Sequence, residues 1–428
     1  MVLRWGIVGV VIGLVLVPIG VWAATEIVVL SASDGAPEFK MIIPWLEEFE
    51  HQTGIKVNFV EMGYGPLHTK LATLFATGSS SVDVVWTYAA WTAEFASAGY
   101  LLDITDWLTE DLLSDLTGAV TAVTYKDRIY GLPKFGSTRF FYYNKEMFEE
   151  VGLDPDKPPT TWTEFLNAAK LLTRDADEDG VVDQWGFLPS GVAEGENAVM
   201  DFQLIYMLAG GTELFDSEDR PLFAGPEGIE ALERYVELYD LGVVDPAAWS
   251  IVSGSDRRMR WMQGNTGMVF EWPSLWRQAN DPDVSRVAGN VGISIIPMIY
   301  TSASLDGSEA YAISTFSRNK EAAFEFLKFV VSPEVQKDIA LRCGWLPVRK
   351  SVLADPALQQ SPLGPMFEVA SLQNQYPIRR FAAPYAQEVI DAALGPAILK
   401  AVQHEMTPEA ALQWAAEKAS EIVAKYKQ

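Results

Sequence analysis

A chain of 428 residues, 49% of them apolar, has enough material for two or three packed domains and carries no low-complexity tract. Its formal net charge of -25 argues against nucleic acid or an anionic membrane surface as partner, because phosphate binding needs clustered Lys and Arg to release counterions. Cys343 is the only cysteine, so no intramolecular disulfide can form and stability has to come from packed cores.

At the start of the chain, Arg4 precedes an apolar run from Trp5 to Trp22, the short basic region and apolar stretch of a secretory signal peptide. Residues 1–23 are therefore expected to direct export across the cytoplasmic membrane, with cleavage near Ala23. An uncleaved anchor is the competing reading, since the run approaches the length that spans a bilayer. No cysteine stands near the exit, which argues against a lipoprotein and for a protein of the periplasm or extracytoplasmic face.

EIVVLSAS (residues 26–33) then reads as a strand, and residues 38–54 as a helix with Phe39, Ile42, Ile43, Leu46 and Phe49 at helical spacing and Gly54 placed to stop it. IKVNFVEM alternates like a strand, a helix is expected around residues 67–75, and VDVVW is an apolar strand. This strand–helix rhythm predicts an α/β fold with a parallel sheet covered on both faces. Ligands sit beyond the carboxyl ends of such strands, which singles out Ser33, Asp34, Gly63, Tyr64, Thr87 and Tyr88.

A second unit begins after IYGLPKFG. STRFFYYN is a strand candidate, and the capping box from Thr161 to Glu164 opens a helix through FLNAAKLLT. DADEDGVVD (residues 175–183) follows. Read as a calcium loop, it puts Asp175, Asp177, Asp179, the Val181 carbonyl and Asp183 at ligand positions, with Gly180 at the sharp turn. The place of the closing bidentate Glu is taken by Gly186, so an ion would need a carboxylate from elsewhere, Glu194 or Glu196 being nearest. A polar turn and a structural calcium site are both open, and no other cofactor is expected. Helices are further expected over GIEALERYVELYDLG, NKEAAFEFLKFVV and PEAALQWAAEKASEIVAKY. No nucleophile motif, phosphate-binding glycine loop or zinc spacing appears, which argues against an enzyme, a secreted glycoside hydrolase included.

The stretch IYGLPKFGSTRFFYYNKEMFEEVGLDPDKPPTTWTEFLNAAKLLT resembles the signature region of the carbohydrate-type extracellular solute-binding proteins (family 1) that serve bacterial ABC importers. VDVVWTYAAWTAEFASAGYLLDIT, GGTELFD, GNTGMVFEWPSLW, AISTFSRNKEAAFEFLKFVVSPEVQ and GWLPVRKSV agree with that family in order. The resemblance implies a two-lobed periplasmic-binding-protein fold, each lobe a mainly parallel sheet flanked by helices, closing on a solute held in the cleft. It places one lobe at residues 24–137 with 298–344 and the other at 138–297 with 345–428, the chain crossing near residues 135–138, 296–298 and 345. It implies a monomeric receptor that captures a sugar or oligosaccharide unchanged and delivers it to an ABC permease. A sensing or adhesion role is the interaction-protein alternative.

Sugars present apolar ring faces and a rim of hydroxyls, so aromatic planes and directional polar groups are needed. Of 14 tryptophans, Trp91, Trp249, Trp272, Trp276 and Trp345 lie where turns or strand ends are expected. The resemblance singles out Trp272 and Trp345 as stacking platforms, with Tyr64, Ser137, Thr138, Gly307 and Ser308 as further contacts. Two positions depart from the family pattern: Tyr88, where many relatives carry a carboxylate, and Glu309, where several carry an aromatic. Both stay among the candidates. Arg139, Arg379 and Arg380 could add a cationic rim, which keeps an anionic polyol such as glycerol 3-phosphate or a uronate open as ligand.

Overall fold

In the computed structural model, the described residues are 25–33, 40–192 and 195–427. The expected leader, Asp34 and Glu194 lie outside them. Strands follow in chain order: β1 (Glu26–Ala32), β2 (Lys56–Met62), β3 (Val84–Tyr88), β4 (Thr124–Tyr125), β5 (Arg128–Ile129), β6 (Gly131–Phe135), β7 (Phe140–Asn144), β8 (Trp185–Leu188), β9 (Thr266–Glu271), β10 (Val291–Ser294), β11 (Ser304–Leu305), β12 (Glu309–Ile313) and β13 (Ile378–Arg379). One sheet has the order β2-β1-β3-β12-β6 and a second the order β10-β7-β9-β8.

The α/β architecture is the one the sequence predicts, with a refinement in strand direction. β1 runs parallel to β2 and β3, whereas β12 is antiparallel to both β3 and β6. In the second sheet β8 and β9 are parallel and β7 is antiparallel to β9 and β10. Each mainly one-directional sheet thus holds one reversed strand, and it is the strand that follows a crossing. A chain arriving from the other lobe enters at the carboxyl ends of the strands already there, so it has to run against them.

Local sequence explains the flanking helices. α1 (Leu46–Thr53) ends at Gly54, whose φ of 71° is the left-handed cap that glycine adopts without strain. α2 (Tyr64–Ala76) buries Leu67, Leu71 and Phe75, and α3 (Ala89–Ser97) buries Trp91 and Phe95. In the second lobe Thr161 and Glu164 form the expected capping box on the helix Trp162–Leu172. That helix sends Phe165 into an aromatic cluster, 5.1 Å from Phe187 and 5.4 Å from Phe270 between ring centroids. The helix Gly364–Gln373 covers the same lobe, with Met366 and Phe367 packed among Phe140, Tyr142 and Val269.

Three chain crossings are tied to one another. Gly136 and Leu346 exchange backbone hydrogen bonds (2.7 and 3.1 Å), Gly307 N–H donates to Ser137 O (2.9 Å), and Asp306 N–H donates to Arg379 O (3.0 Å). The middle crossing lies later than residues 296–298. Met298 N–H still bonds Thr160 O (2.9 Å) and Tyr300 N–H bonds Leu208 O (3.0 Å), so the chain stays with the second lobe until β11. Backbone groups past β10 find partners along that lobe's helix ends, and this postpones the change of lobe. Among the described residues no helix is long and apolar enough to cross a membrane.

Candidate functional site

Between the sheets lies a cavity of about 220 Å³. Its first wall is aromatic. β3 supplies Trp86 and Tyr88, α3 supplies Trp91, and Tyr64 opens α2. Trp86 sits at the centre, its ring 5.1 Å from Tyr64, 5.6 Å from Tyr88 and 4.9 Å from Trp91. Glu309, at the start of the reversed β12, fixes this wall: it accepts from Trp86 Nε1 (2.7 Å) and Tyr64 Oη (3.1 Å), and Lys134 Nζ lies 2.9 Å away. A carboxylate is tolerated here because two donors and a buried ammonium meet it.

The second wall is a buried ion network faced by Trp272. Glu271, fully buried at the end of β9, pairs with Arg257, and Arg258 Nη1 lies 3.7 Å from its Oε1. Glu271 Oε1 also accepts from Trp272 N–H (3.0 Å), so the network sets where Trp272 begins. Arg139 pairs with Asp201 (2.8 Å) and lays its guanidinium 4.7 Å from the Trp272 ring centroid. Behind that ring stands Gly307, where a Cβ would come within 2.5 Å of it, so only glycine leaves the platform in place. Burial would raise the Glu271 carboxyl, but Arg257 and Arg258 outweigh it and hold the group below its ordinary range. Burial, then the neighbouring charge of Arg257, brings Arg139 down to about 10.

The two walls meet at a third element, the helix Gly195–Leu208, whose first turn brings Glu196 and Asn197 to the cavity. Arg380 donates to Glu196 (2.5 Å) and lies 5.3 Å over the Tyr88 ring, while Tyr88 Oη donates to Glu196 (3.3 Å). Burial and Glu196 push the Tyr88 phenol well up, so it stays a donor.

Of the candidates named from sequence, Tyr64, Tyr88, Ser137, Trp272, Gly307, Glu309 and Trp345 line the cavity together. Trp345 is stacked on Phe135 at 4.2 Å between centroids. Thr138 and Ser308 do not line it. Thr138 Oγ1 donates to Ser304 Oγ (2.7 Å) and Ser308 Oγ accepts from Ser137 N–H (3.2 Å), so both hydroxyls tie crossings together. Arg379 is also placed elsewhere, its side chain paired with Glu213 near the surface. Strand alternation turns neighbours to opposite faces, and Arg380 is the residue that reaches the cavity. Trp249 and Trp276 lie outside it, Trp249 against Tyr239 and Trp276 donating to Pro362 O (2.9 Å). Trp86, Asn197, Arg257 and Arg258 were missed, and Glu196, considered only as a calcium ligand, lines the cavity instead. Only Trp86, the last residue of the expected strand VDVVW, carried a signal.

In the aspartate loop the carboxylates of Asp175, Asp177 and Asp179 converge within 4.8 Å. Asp183 turns away and accepts from Ala176 N–H (2.9 Å), and Val181 N–H donates to Asp179 Oδ1 (2.8 Å). Glu196 is in the cleft and closes nothing here. Three convergent carboxylates suit a hard cation, and bidentate contacts, backbone carbonyls or water would have to complete the 6–8 oxygens calcium takes.

Residues 36–337 match the family described as bacterial extracellular solute-binding protein. A probable amino-acid ABC transporter periplasmic-binding protein of Sinorhizobium fredii is 29% identical over 363 residues, 81% of this chain and 78% of the relative. Among solved structures, maltose-bound MalE3 of T. maritima is 27% identical with a TM-score of 0.81, covering 93% of this chain and all of that one. A solute-binding protein of Agrobacterium radiobacter K84 in complex with ribitol is 25% identical with a TM-score of 0.80, over 93% of this chain and 98% of that one.

Proposed function

The chain belongs to the bacterial extracellular solute-binding protein family, and from that premise we propose that it captures a carbohydrate between its lobes and delivers it to an ABC permease. The observation that supports this best is the pairing of walls: aromatic planes of Trp86, Tyr64 and Trp272 face one cavity together with directional polar groups from both lobes. Sugar rings offer apolar faces to such planes and hydroxyls to such groups. Maltose and ribitol in the two structural neighbours are of that chemical class. Family and fold are those of substrate-binding proteins, so the solute is held and released unchanged.

Mechanistically, a ligand stacked on Trp272 and bonded by first-lobe groups stabilises the closed arrangement only through contacts made by both lobes at once. The crossings at Ser137 and Gly307 are the flexing elements. An anionic polyol is less well served, because Arg380 already serves Glu196, and Arg257 and Arg258 share Glu271. The protein is expected to act as a monomer on the extracytoplasmic side. The test is thermal unfolding of the exported form across neutral sugars, alditols, uronates, glycerol 3-phosphate and amino acids, since a ligand bound only by the native state raises the midpoint. A rise with a sugar or alditol is expected. Stabilisation by amino acids alone would refute the carbohydrate assignment.

A further inference from the structure

We infer that the ligand is a single neutral sugar ring or a short alditol, and that the hydroxyl of Ser137 and the side-chain amide of Asn197 are the polar groups it satisfies. The inference rests on the carbohydrate reading above and narrows it. Both residues line the cavity and are more than nine-tenths buried, Ser137 4% and Asn197 7% exposed. Among the described residues, neither Ser137 Oγ nor Asn197 Nδ2 has a hydrogen-bond partner. A buried polar atom without a partner carries a penalty that a native protein retains only where something else supplies the bond. These two atoms come from opposite sides, Ser137 from the crossing and Asn197 from a second-lobe helix, so one molecule bonded to both also holds the lobes together.

Charge and size agree. The cationic groups of the lining, Arg257, Arg258 and Arg380, have carboxylates beside them, while the groups left over are a hydroxyl and an amide, both neutral. Hydroxyl groups of a sugar or alditol donate to one and accept from the other. The cavity of about 220 Å³ is smaller than the sites that take drug-sized molecules, roughly 300–1,000 Å³. It is walled on one side where Tyr88, Glu196 and Arg380 join the lobes, and a second or third sugar ring would have to displace that bridge.

The experiment is isothermal titration of the full exported protein with D-glucose, D-mannitol, ribitol, maltotriose, D-glucuronate and glycerol 3-phosphate, repeated with Ser137→Ala and Asn197→Ala. Binding of a monosaccharide or alditol, weakened at least about tenfold by each variant, is the expected result. Each variant should also leave the ligand-free unfolding midpoint unchanged or raised, because truncation removes an unpaired polar group. A lowered midpoint would assign that residue a structural role instead. Binding of maltotriose alone would overturn the inference while leaving a carbohydrate-type receptor, and binding of the two anions alone would overturn it in favour of an anionic ligand. No binding of any sugar or alditol would remove the carbohydrate reading itself. Binding of the expected ligand with full affinity in both variants would overturn the assignment of Ser137 and Asn197.

Discussion

The two walls of the cleft are held in opposite ways. On the first, aromatic rings pack edge to face on strand and helix ends, and a single carboxylate, Glu309, pins them. On the second, Trp272 is set among buried charge pairs, Arg257 with Glu271 and Arg139 with Asp201. A wall made of packing tolerates small changes, whereas a wall made of buried charge loses much when one member goes. Buried pairs contribute little net stability as pairs, but an orphaned partner is severely destabilising.

Arg257→Ala should therefore have the largest effect, about 3–5 kcal/mol of stability by urea unfolding, because Glu271 is left to the more distant Arg258. A loss no greater than that of an ordinary surface substitution would break the contrast. Gly307→Ala comes next. The new methyl meets the Trp272 ring, so roughly 1–3 kcal/mol of overpacking strain is expected together with a weaker sugar affinity, read by calorimetry. Unchanged affinity would show that Trp272 is no platform.

Acid sharpens the same contrast. The folded Glu271 carboxyl is held below its unfolded value, so its stabilisation is full above the ordinary glutamate range near 4.3 and is lost as pH falls through the lower folded value. Midpoints measured from pH 6 to 3 should fall, and Glu271→Gln should flatten part of that fall. A slope identical in the variant would place the acid sensitivity elsewhere. On the aromatic wall, Tyr64→Phe removes one hydrogen bond to Glu309 and should change stability by only about 0.5–1.5 kcal/mol. The smallest effect is expected outside both walls. Calcium should raise the midpoint only in the millimolar range, as befits an incomplete oxygen set, and a midpoint indifferent to calcium and chelator would leave the aspartate loop a turn.

This contrast also separates what the sequence disclosed from what it did not. The cavity positions of Tyr64 and Tyr88 were legible because strand ends announce themselves by periodicity, and the carboxyl ends of these strands face the cavity. Trp272, Gly307 and Trp345 were legible through a family pattern of ordered phrases. Asn197, Arg257 and Arg258 were not, since no local pattern records which side chains of the helices Gly195–Leu208 and Gly254–Trp261 the fold turns toward the cavity, or that the two arginines meet Glu271 there. Thr138, Ser308 and Arg379 were near misses of one kind: the segment was right, but within it hydrogen bonding between crossings and strand alternation chose which side chain reached the cavity.

The reversed strand of the first lobe has a consequence for the order in which the chain is made. β12 lies between β3 and β6, and among the described residues β6 has β12 as its only neighbour in that sheet. Until residues 309–313 leave the ribosome, the amino-terminal lobe has an open sheet edge at β3 and an unpartnered strand waiting beyond it. Neither lobe is a stretch of chain that can finish alone, so the lobes mature together, late in synthesis, after most of the polypeptide has already been strung out.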